Sequence, residues 1–479
     1  MTPQQFRQYA HQVADWMADY LENIEQYPVK AQVQPDQILE QLPDMPPSHA
    51  EDFDKIIADF NDLILPGITH WQHPSFFAYF PANSSPASVL AEMLTATLAA
   101  QCMLWDTSPA AAELEERMLD WLKQLTGLPQ NLHGTLYDGA STATLSAILA
   151  AREKATGFAV NRHGFTANTA VLRVYTSAEA HSSVEKAAKM AGIGQENVVK
   201  IPVDAHFRLN PKLLAEAIAA DIRQDYTPLC VVATLGTTGC TAIDPLEEIA
   251  QICNQYLVWL HVDAAYAGTA LLLPEYRWML KGIEQADSFV FNPHKWLFTN
   301  FDCSAFYVKD KETLLQTFSI LPEYLKTENR NRVNNYSEWS PQLGRRFRAL
   351  KLWFVLRSYG VQQLQEKIRH HINLAHSLSH QIKQHPFFEI AAPVTLNLVC
   401  FRLAPPRLQQ QPDALNALNE QLLQRLNQSG KMYLSHTKLN GLYTLRMVTG
   451  QTNVEKKHVE SAWKLIQTHA TALLQGNDE

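Results

Sequence analysis

Hydrophobic and polar positions follow one pattern in the first 80 residues and another in the rest of the chain. Apolar side chains recur at helical spacing between Phe6 and Tyr20. Prolines then break the pattern, at Pro28, Pro35, Pro43, Pro46 and Pro47. Because so few apolar residues cannot form a core, we expect residues 1–80 to be a helical arm that packs on a partner subunit. An independently packed helical hairpin is the alternative.

From about residue 86, short apolar runs alternate with amphipathic helical stretches. The run LCVVATL at 229–235 is apolar throughout, as in a strand buried on both faces of a parallel sheet. Further strands are predicted at 133–137, 171–175, 198–203, 257–262, 288–291 and 304–308, and helices at 113–125, 142–154, 182–190, 211–223 and from Asp244 onward. Repeated βαβ units predict an α/β domain, residues 81–350, with a mostly parallel central sheet and helices on both faces.

Two stretches after residue 320 depart from this alternating pattern. The polar stretch 321–341 is long for a loop in a compact domain, which favours a functional role. Residues 351–479 are dominated by helical patterns, with strands predicted near 396–402 and 443–448. We interpret this last part as a smaller C-terminal α+β domain.

Composition and charge exclude several classes of protein. The net charge of −8 argues against nucleic-acid binding. No run of about eighteen apolar residues predicts a membrane span, and the first residues do not resemble a secretory signal. The six cysteines lack CxxC spacing, which is typical of reduced thiols in a cytoplasmic protein.

Candidate chemistry gathers where the predicted strands end. In a parallel sheet, ligands bind beyond the carboxyl ends of the strands. Six polar residues lie at or just after these ends or the turns that follow them: Asp138, Ser141, His181, Thr238, Asp263 and Lys295. We expect the tertiary structure to bring them to one edge of the sheet.

Lys295 follows a short apolar strand and the dipeptide Asn292-Pro293. Desolvation against Phe291 and Trp296 would lower the pKa of its ammonium group and free the amine to form an imine with a carbonyl group. A surface lysine after a turn is the alternative interpretation.

A phosphate and a pyridine ring complete this chemistry. The stretch DGAST at 138–142 joins a strand to a helix N-terminus, which favours a phosphate. It is neither GxGxxG nor a P-loop, so a dinucleotide or ATP is disfavoured. A buried Asp263 needs a cationic partner, and a protonated pyridine nitrogen is one. With Lys295 these features describe a pyridoxal 5′-phosphate (PLP) site. His181 is a candidate to stack on the ring, and Asn292, His294 and Thr238 to bond its substituents.

Nine stretches, in order over nearly the whole chain, carry a family resemblance. They are FFAYFP at 76–81, DGASTAT at 138–144, AHSSVEKA at 180–187, VATLGTTGC at 232–240, WLHVDAAYAG at 259–268, FNPHKW at 291–296, NFDCSAFYVK at 300–309, LPEYLK at 321–326 and LGRRFRALKLWFVLR at 343–357. With these motifs the chain resembles the group II PLP-dependent amino acid decarboxylases, and among them the aromatic-L-amino-acid decarboxylases.

The resemblance implies PLP-dependent fold type I and a homodimer with active sites at the subunit interface. It implies that Lys295 carries the cofactor, Asp263 pairs with the pyridine nitrogen, and His181 and Ala265 lie on opposite faces of the ring. It further implies a set of residues that hold the phosphate or approach the ring: Ala140, Ser141, Asn292, His294 and Thr238.

The resemblance also implies the substrate and the proton donor. An aromatic L-amino acid would lose CO2, and Tyr324, on a mobile loop, would return a proton to the α-carbon. In related aldehyde synthases phenylalanine usually replaces this tyrosine, so Tyr324 with His181 favours simple decarboxylation. The substrate pocket would be lined by Trp71, Tyr79, Phe80, Pro81, Leu343 and Gly344, whereas Ala82, Gln101 and Met103 depart from the residues of relatives.

Several alternatives stay open at this point. The chain is also compatible with an aromatic aldehyde synthase, or with a decarboxylase of histidine or glutamate, although the aromatic residues disfavour a charged substrate. A PLP-fold transcriptional regulator would need a basic winged-helix domain, which the N-terminus does not resemble. A metal enzyme is suggested by four histidines, His370, His371, His376 and His380, but no carboxylate or cysteine accompanies them.

Overall fold

The structure is a computed structural model that describes residues 1–166, 170–320 and 332–476. The chain divides into two compact units. The first contains Met1–Pro81, Leu374–Ala391 and Val399–Glu479, and the second contains Ala82–Asn373 and Ala392–Leu398. Three predicted domains with boundaries at residues 80 and 350 stay a prediction.

The second unit is built on a seven-stranded sheet. Its strands are β1 (His133–Tyr137), β2 (Leu172–Ser177), β3 (Val198–Ile201), β4 (Thr227–Thr234), β5 (Trp259–Asp263), β6 (Ser288–Phe291) and β7 (Ser304–Val308). The order across the sheet is β1-β7-β6-β5-β4-β2-β3. β7 is antiparallel to both of its neighbours and the other pairings are parallel. The predicted, mostly parallel α/β sheet is therefore confirmed.

Helices surround this sheet in the order that the alternating pattern predicts. They are α3 (Pro86–Leu98), α4 (Pro109–Thr126), α5 (Ala140–Ala155), α6 (Ala159–His163), α7 (Ser183–Met190), α8 (Pro211–Arg223), α9 (Leu246–Tyr256), α10 (Pro293–Trp296) and α11 (Lys311–Phe318). The Asn210 side chain accepts bonds from the backbone of Lys212 and Leu213 and caps α8, where the sequence predicts the cap. Asp244 differs from expectation, because its carboxylate accepts the N–H groups of Leu209 and Thr234 and does not cap α9.

The first unit combines the N-terminal helices with a four-stranded sheet. Its helices are α1 (Pro3–Glu22), α2 (Phe53–Asp59), the C-terminal part of α12 (Arg348–Gln384), α13 (Pro412–Gln428) and α14 (Lys456–Gly476). The sheet order is β10-β11-β9-β8, from the strands β8 (Phe388–Ile390), β9 (Leu398–Leu403), β10 (Ser435–Leu439) and β11 (Leu442–Val448). Two of these strands, β8 and β10, were not predicted from the sequence, because one has three residues and the other is largely polar.

The N-terminal arm packs through aromatic side chains. Trp16 on α1 stacks on Tyr20 at 5.3 Å, meets the edge of Phe60, and donates to the side chain of Asn61. No residue of α1 is buried. The prediction that this arm packs on a partner subunit therefore remains compatible with its exposed surface. Among the helices of the described residues, none combines the length and apolar character needed to span a bilayer.

Candidate active site

The carboxyl ends of six strands meet at one edge of the large sheet. β1, β2, β3, β4, β5 and β6 run in one direction, and only β7 opposes them. The structure therefore brings to this edge the residues that end or follow these strands: Asp138, Ala140, Ser141, His181, Thr238, Asp263, Ala265, Asn292, His294 and Lys295. β7 begins at the same edge because it runs in the opposite direction, and its first residues contact the site.

Lys295 lies in the single helical turn α10, directly after β6. Its backbone N–H donates to the carbonyl of Asn292 at 3.0 Å, which fixes the turn. The side chain is partly buried. Desolvation lowers the pKa of its ammonium group, and the negative charge of Asp263 opposes that shift. The site therefore holds a lysine amine that loses its proton more readily than a solvated one.

Trp296 fixes the orientation of this turn from behind. Its indole is fully buried and stacks on Tyr266 with ring centroids 5.0 Å apart. The indole N–H donates to Nδ1 of His371 at 3.0 Å. Burial lowers the pKa of His371 to about 3, so the imidazole is neutral and able to accept this bond. Sequence reasoning missed this support, because its partners are far apart in the chain.

Asp263 links the ends of β5 and β6. One carboxylate oxygen accepts the N–H of Ala265 at 2.9 Å, and the carbonyl of Ala265 accepts the N–H of Asn292 at 3.0 Å. Only 5% of Asp263 is exposed. A carboxylate this buried requires a cationic or hydrogen-bonding partner, and its negative charge raises the pKa of Lys295. The edge thus pairs a desolvated amine with a buried acid.

His181 follows β2 at the start of α7. Its Nδ1 accepts the N–H of Ser183 at 3.1 Å, which orients the ring. The residue is exposed, yet desolvation by the surrounding protein lowers the pKa of its imidazole. The negative charge of Asp263 raises that pKa and the positive charge of Lys295 lowers it, so both groups influence the protonation of His181.

The N-terminus of α5 lies beside these groups. Its N-cap is Gly139, and no side chain caps the helix. A Cβ at Gly139 would meet nothing within 4 Å. Oδ1 of Asp138 is buried and has no hydrogen-bond partner among the described residues. The first backbone N–H groups, which include those of Ala140 and Ser141, therefore face an open space that suits an anion.

Asn292 and His294 add two oriented donors. Oδ1 of Asn292 accepts the hydroxyl of Ser304 at 2.6 Å, which leaves its NH2 group as the donor. Nδ1 of His294 accepts the N–H of Cys303 at 2.9 Å. Burial lowers the pKa of His294 to about 3, so the ring is neutral and its proton is assigned to Nε2. Both orientations are set by the start of β7.

Two neighbouring threonines after β4 have different environments. Thr238 is exposed, whereas Thr237 is fully buried and its hydroxyl accepts the N–H of Ala242 at 3.0 Å. The predicted candidate is therefore the residue of the pair that is accessible to a ligand.

Leu343 and Gly344 belong to a separate group of contacts. Both are exposed, and the next residue, Arg345, is buried. The guanidinium of Arg345 pairs with the carboxylate of Glu115 at 2.7 Å and donates to the carbonyl of Leu136. Sequence reasoning missed this pair, which anchors the segment that carries Gly344.

The remaining aromatic candidates lie in the first unit. Trp71 stacks on Tyr79 with centroids 5.8 Å apart, and the hydroxyl of Tyr79 lies 3.1 Å from that of Tyr433. The guanidinium of Arg446 lies 5.4 Å from the ring centre of Phe80, and Pro81 is buried. The predicted loop is thus an ordered aromatic cluster.

Two further predictions have a simple outcome. Tyr324 falls within residues 321–331, outside the described part of the chain. Within the described residues, no three His, Cys, Asp or Glu side chains are grouped so that they could hold a metal ion. His371, one of the four histidines that suggested a metal, instead accepts the bond from Trp296.

Comparisons with known proteins identify similar sequences and structures. Residues 35–404 match the pyridoxal-dependent decarboxylase conserved domain. The chain is 44% identical to a phenylacetaldehyde synthase of Arabidopsis thaliana, over 99% of this chain and 97% of the relative. It is 43% identical to tyrosine decarboxylase 2 of Narcissus pseudonarcissus, over 100% and 96%. The crystal structure of Oryza sativa TDC with PLP and tryptamine superimposes with a TM-score of 0.95 at 35% identity, over 99% of both chains.

Proposed function

The chain belongs to the pyridoxal-dependent decarboxylase family, and on this premise we propose that it converts an aromatic L-amino acid into the aromatic amine and CO2. It is a PLP-dependent carboxy-lyase of fold type I. The observation that carries the proposal is the desolvated Lys295 beside the buried Asp263 at the sheet edge, next to the open N-terminus of α5.

The residues present fit PLP. When bound, the cofactor supplies an aldehyde for an amine and a protonated pyridine ring that draws electrons from the bonds of the substrate α-carbon. Lys295 would take the aldehyde and Asp263 would face the pyridine nitrogen. The phosphate would be held by the N–H groups of Ala140 and Ser141, the amide of Asn292 and Nε2–H of His294. The hydrogen-bond donors of this set suit the anionic phosphate, and the carboxylate of Asp263 suits the protonated pyridine nitrogen.

The remaining side chains orient the substrate and move protons. His181 and Ala265 would contact the two faces of the ring, and the exposed Thr238 would approach its edge. The lowered pKa of Lys295 lets its amine exchange a proton with the substrate amine more readily than a solvated lysine would. Tyr324 would deliver a proton to the substrate α-carbon after CO2 leaves.

The aromatic substrate class is supported by two groups of residues. Trp71, Tyr79, Phe80 and Pro81 form an aromatic cluster in the first unit. Leu343 and the small Gly344 lie exposed in the second. Aromatic and apolar side chains suit an aromatic ring better than a charged side chain. The relatives act on, or are named for, phenyl, phenol and indole compounds.

A second copy of the chain is the proposed partner. Helix α3 leaves four large apolar side chains exposed along it, Leu90, Met93, Leu94 and Leu98, with 38–63% of each accessible. An exposed apolar stripe of this size supports a homodimer with the active sites at the interface. All six cysteines are buried and unbridged, which supports a cytoplasmic location.

Product analysis tests the proposal. We would supply PLP-loaded protein with L-Trp, L-Tyr, L-Phe, L-dopa, L-His and L-Glu and measure CO2, amine, aldehyde and hydrogen peroxide together. Amine with equimolar CO2 from an aromatic substrate is the expected result. Turnover of L-His or L-Glu alone would contradict the aromatic class.

An aldehyde synthase is the second candidate. The 44% identity to a phenylacetaldehyde synthase favours it. Aldehyde and peroxide in place of amine, in the same assay, would establish this alternative. Tyr324 argues for the amine, because a tyrosine hydroxyl is able to donate the proton that the amine product requires.

A further inference from the structure

The segment 300–303, which precedes β7, sets the orientation of His294. The backbone N–H of Cys303 donates to Nδ1 of His294 at 2.9 Å, and the carbonyl of Cys303 accepts the backbone N–H of His294 at 3.2 Å. Because Nδ1 accepts a bond, the proton of the neutral ring is assigned to Nε2. The position of the segment therefore decides where the Nε2–H donor of His294 points.

Arg348 on α12 holds this segment at the residue before Cys303. Its Nε and Nη2 atoms donate to the two carboxylate oxygens of Asp302 at 2.9 and 3.2 Å. Only 6% of Arg348 is exposed. Two parallel bonds between planar groups fix their relative orientation as well as their separation. The pair thus holds Asp302, and the next peptide group of the backbone carries the N–H that bonds to His294.

Helix α3 holds the other end of the segment. The backbone N–H of Asn300 donates to Oγ of Ser88 at 3.3 Å, and its side-chain amide donates to Oε2 of Glu92 at 3.4 Å. Nζ of the buried Lys351 lies 3.0 Å from the same oxygen. Ser88 and Glu92 are four residues apart and share a face of α3. The segment is therefore fixed at both ends, and Arg348 acts at the end that meets His294.

Arg348 also acts on a second acid of the site. Asp138 lies between β1 and the N-terminus of α5, and its buried Oδ1 has no hydrogen-bond partner among the described residues. Burial by itself would lower the pKa of the Arg348 guanidinium, but the bonds to Asp302 and the negative charge of Asp138 raise that pKa above its ordinary value. The guanidinium thus stays charged and offsets two carboxylates that would otherwise repel a phosphate.

We propose that Arg348 is a positioning residue for the cofactor, and that it acts through Asp302 and Cys303 to direct Nε2–H of His294 toward the phosphate of PLP. Arg348 would not itself contact the cofactor. The inference rests on the proposed function, in which the phosphate lies between the N-terminus of α5 and His294.

A conservative substitution separates orientation from charge. Arg348→Lys keeps the positive charge but loses the planar pair of donors that grips Asp302. Full-length protein freed of cofactor is titrated with PLP and with pyridoxal, which lacks the phosphate, and binding is followed by quenching of tryptophan fluorescence. One hydrogen bond to a charged group corresponds to roughly ten- to hundredfold in Kd. We expect Kd for PLP to rise by that factor and Kd for pyridoxal to change by less than about twofold.

A double substitution tests whether the effect passes through His294. His294→Phe keeps a ring of similar shape and removes the Nε2–H donor. In this background Arg348→Lys should raise Kd for PLP by less than about twofold, because the group that it positions is absent. The matched control is Arg369→Lys. Arg369 lies on the same helix and forms two bonds of 2.6 and 3.3 Å with the carboxylate of Glu275, and its substitution should change neither Kd.

Each outcome decides the inference. A loss confined to PLP that disappears in the His294→Phe background supports it. Wild-type affinity in Arg348→Lys, an equal loss for PLP and pyridoxal, or additive losses in the double variant overturns it and leaves the proposed function intact. If His294→Phe alone binds PLP as tightly as the wild type, the proposed position of the phosphate is wrong, and the inference fails with it.

Discussion

At the scale of single residues, the reactivity of Lys295 comes from its surroundings. A solvated lysine is protonated near neutral pH and does not attack a carbonyl. Here desolvation lowers the pKa of the ammonium group, while the charge of Asp263 limits the shift. The neutral Trp296 and His371 behind the turn add no charge. The environment therefore favours the neutral amine of Lys295. It also keeps the carboxylate of Asp263 in the site, where the cofactor ring requires it.

The buried histidines predict that acid destabilises the protein. Burial lowers the pKa of His371 to about 3, below the ordinary value of about 6.5. Below about pH 6.5 the histidine binds a proton in the unfolded chain but not in the folded chain. The free energy of unfolding therefore falls as the pH drops from there toward 3. At about pH 5, one such histidine costs ~2 kcal/mol.

Substitution of His371 isolates its share. His371→Gln keeps an acceptor for the indole of Trp296 and removes the titration, so its free energy of unfolding in urea should fall less between about pH 7.5 and about pH 5 than that of the wild type. His376→Gln changes an exposed histidine and serves as the control. Equal pH dependence in wild type and His371→Gln would contradict the prediction.

Tyr324 carries a prediction about the product. Tyr324→Phe removes the proposed proton donor to the α-carbon. We expect amine formation to fall by about 10²–10⁴-fold, with aldehyde and hydrogen peroxide formed in its place by reaction with dissolved O2. Chromatography of the products and a peroxide assay measure both. Amine formation at the parental rate would show that another group donates the proton.

At the scale of elements, a buried ion pair holds the segment that carries Gly344. The carboxylate of Glu115 on α4 accepts from Arg345 and from the N–H of Leu136 on β1. Glu115 is 3% exposed and Arg345 is 5% exposed. One pair therefore joins a helix, an edge strand and the segment that carries Gly344.

Removing one charge of this pair should destabilise the fold. Glu115→Gln leaves a buried guanidinium without its counter-charge, which costs roughly 3–5 kcal/mol. Urea unfolding measures the change. The control is Glu216→Gln, which breaks the exposed pair of Lys212 and Glu216 at 3.9 Å and should cost less than about 1 kcal/mol. Similar costs for the two variants would show that Glu115 does not compensate a buried charge.

Close packing also positions the turn that bears Lys295. A Cβ at Gly268 would lie 2.2 Å from the Cβ of Phe291, the last residue of β6. The segment Ala267–Leu272 thus approaches β6 as closely as only a glycine permits. This contact and the stack of Tyr266 on Trp296 fix both ends of the stretch 291–296.

At the scale of the whole molecule, the exposed stripe on α3 predicts an assembly. Leu98→Glu places a charge where 63% of a leucine is exposed. If a second copy covers this stripe, the variant should sediment as a monomer and lose decarboxylase activity while its circular dichroism stays unchanged. Analytical ultracentrifugation gives the mass.

A second exposed leucine provides the control for this test. Leu257 follows α9 and is 90% exposed. Leu257→Glu should leave both mass and activity unchanged, because Leu257 lies outside the α3 stripe. A dimeric, active Leu98→Glu variant would remove α3 from the interface.

The elements that the sequence predicts well are those with a strong local pattern. β1, β6 and β7 begin and end at the predicted residues, and α8 begins after its asparagine cap. β8 and β10 lack such a local pattern and are not predicted from the sequence. β8 has three residues, and the SHTKL of β10 alternates only weakly, so pairing with neighbouring strands decides their conformation.

The candidate site divides in the same way. The positions of Lys295, Asp263 and the N-terminus of α5 follow from the sequence, because each lies within a few residues of a recognisable strand end. The sequence by itself thus determined the chemical groups and the edge of the sheet at which they gather.

Only the tertiary structure decided how those groups are held. His371 reaches Trp296 across 75 residues, and Glu115 reaches Arg345 across 230. Because β7 runs opposite to β6, its start lies beside Asn292 and His294. The hydroxyl of Ser304 and the N–H of Cys303 bond to these two side chains and so determine which of their atoms can donate. Local patterns carry no information about such partners, because burial and hydrogen bonding between distant segments depend on the folded sheet.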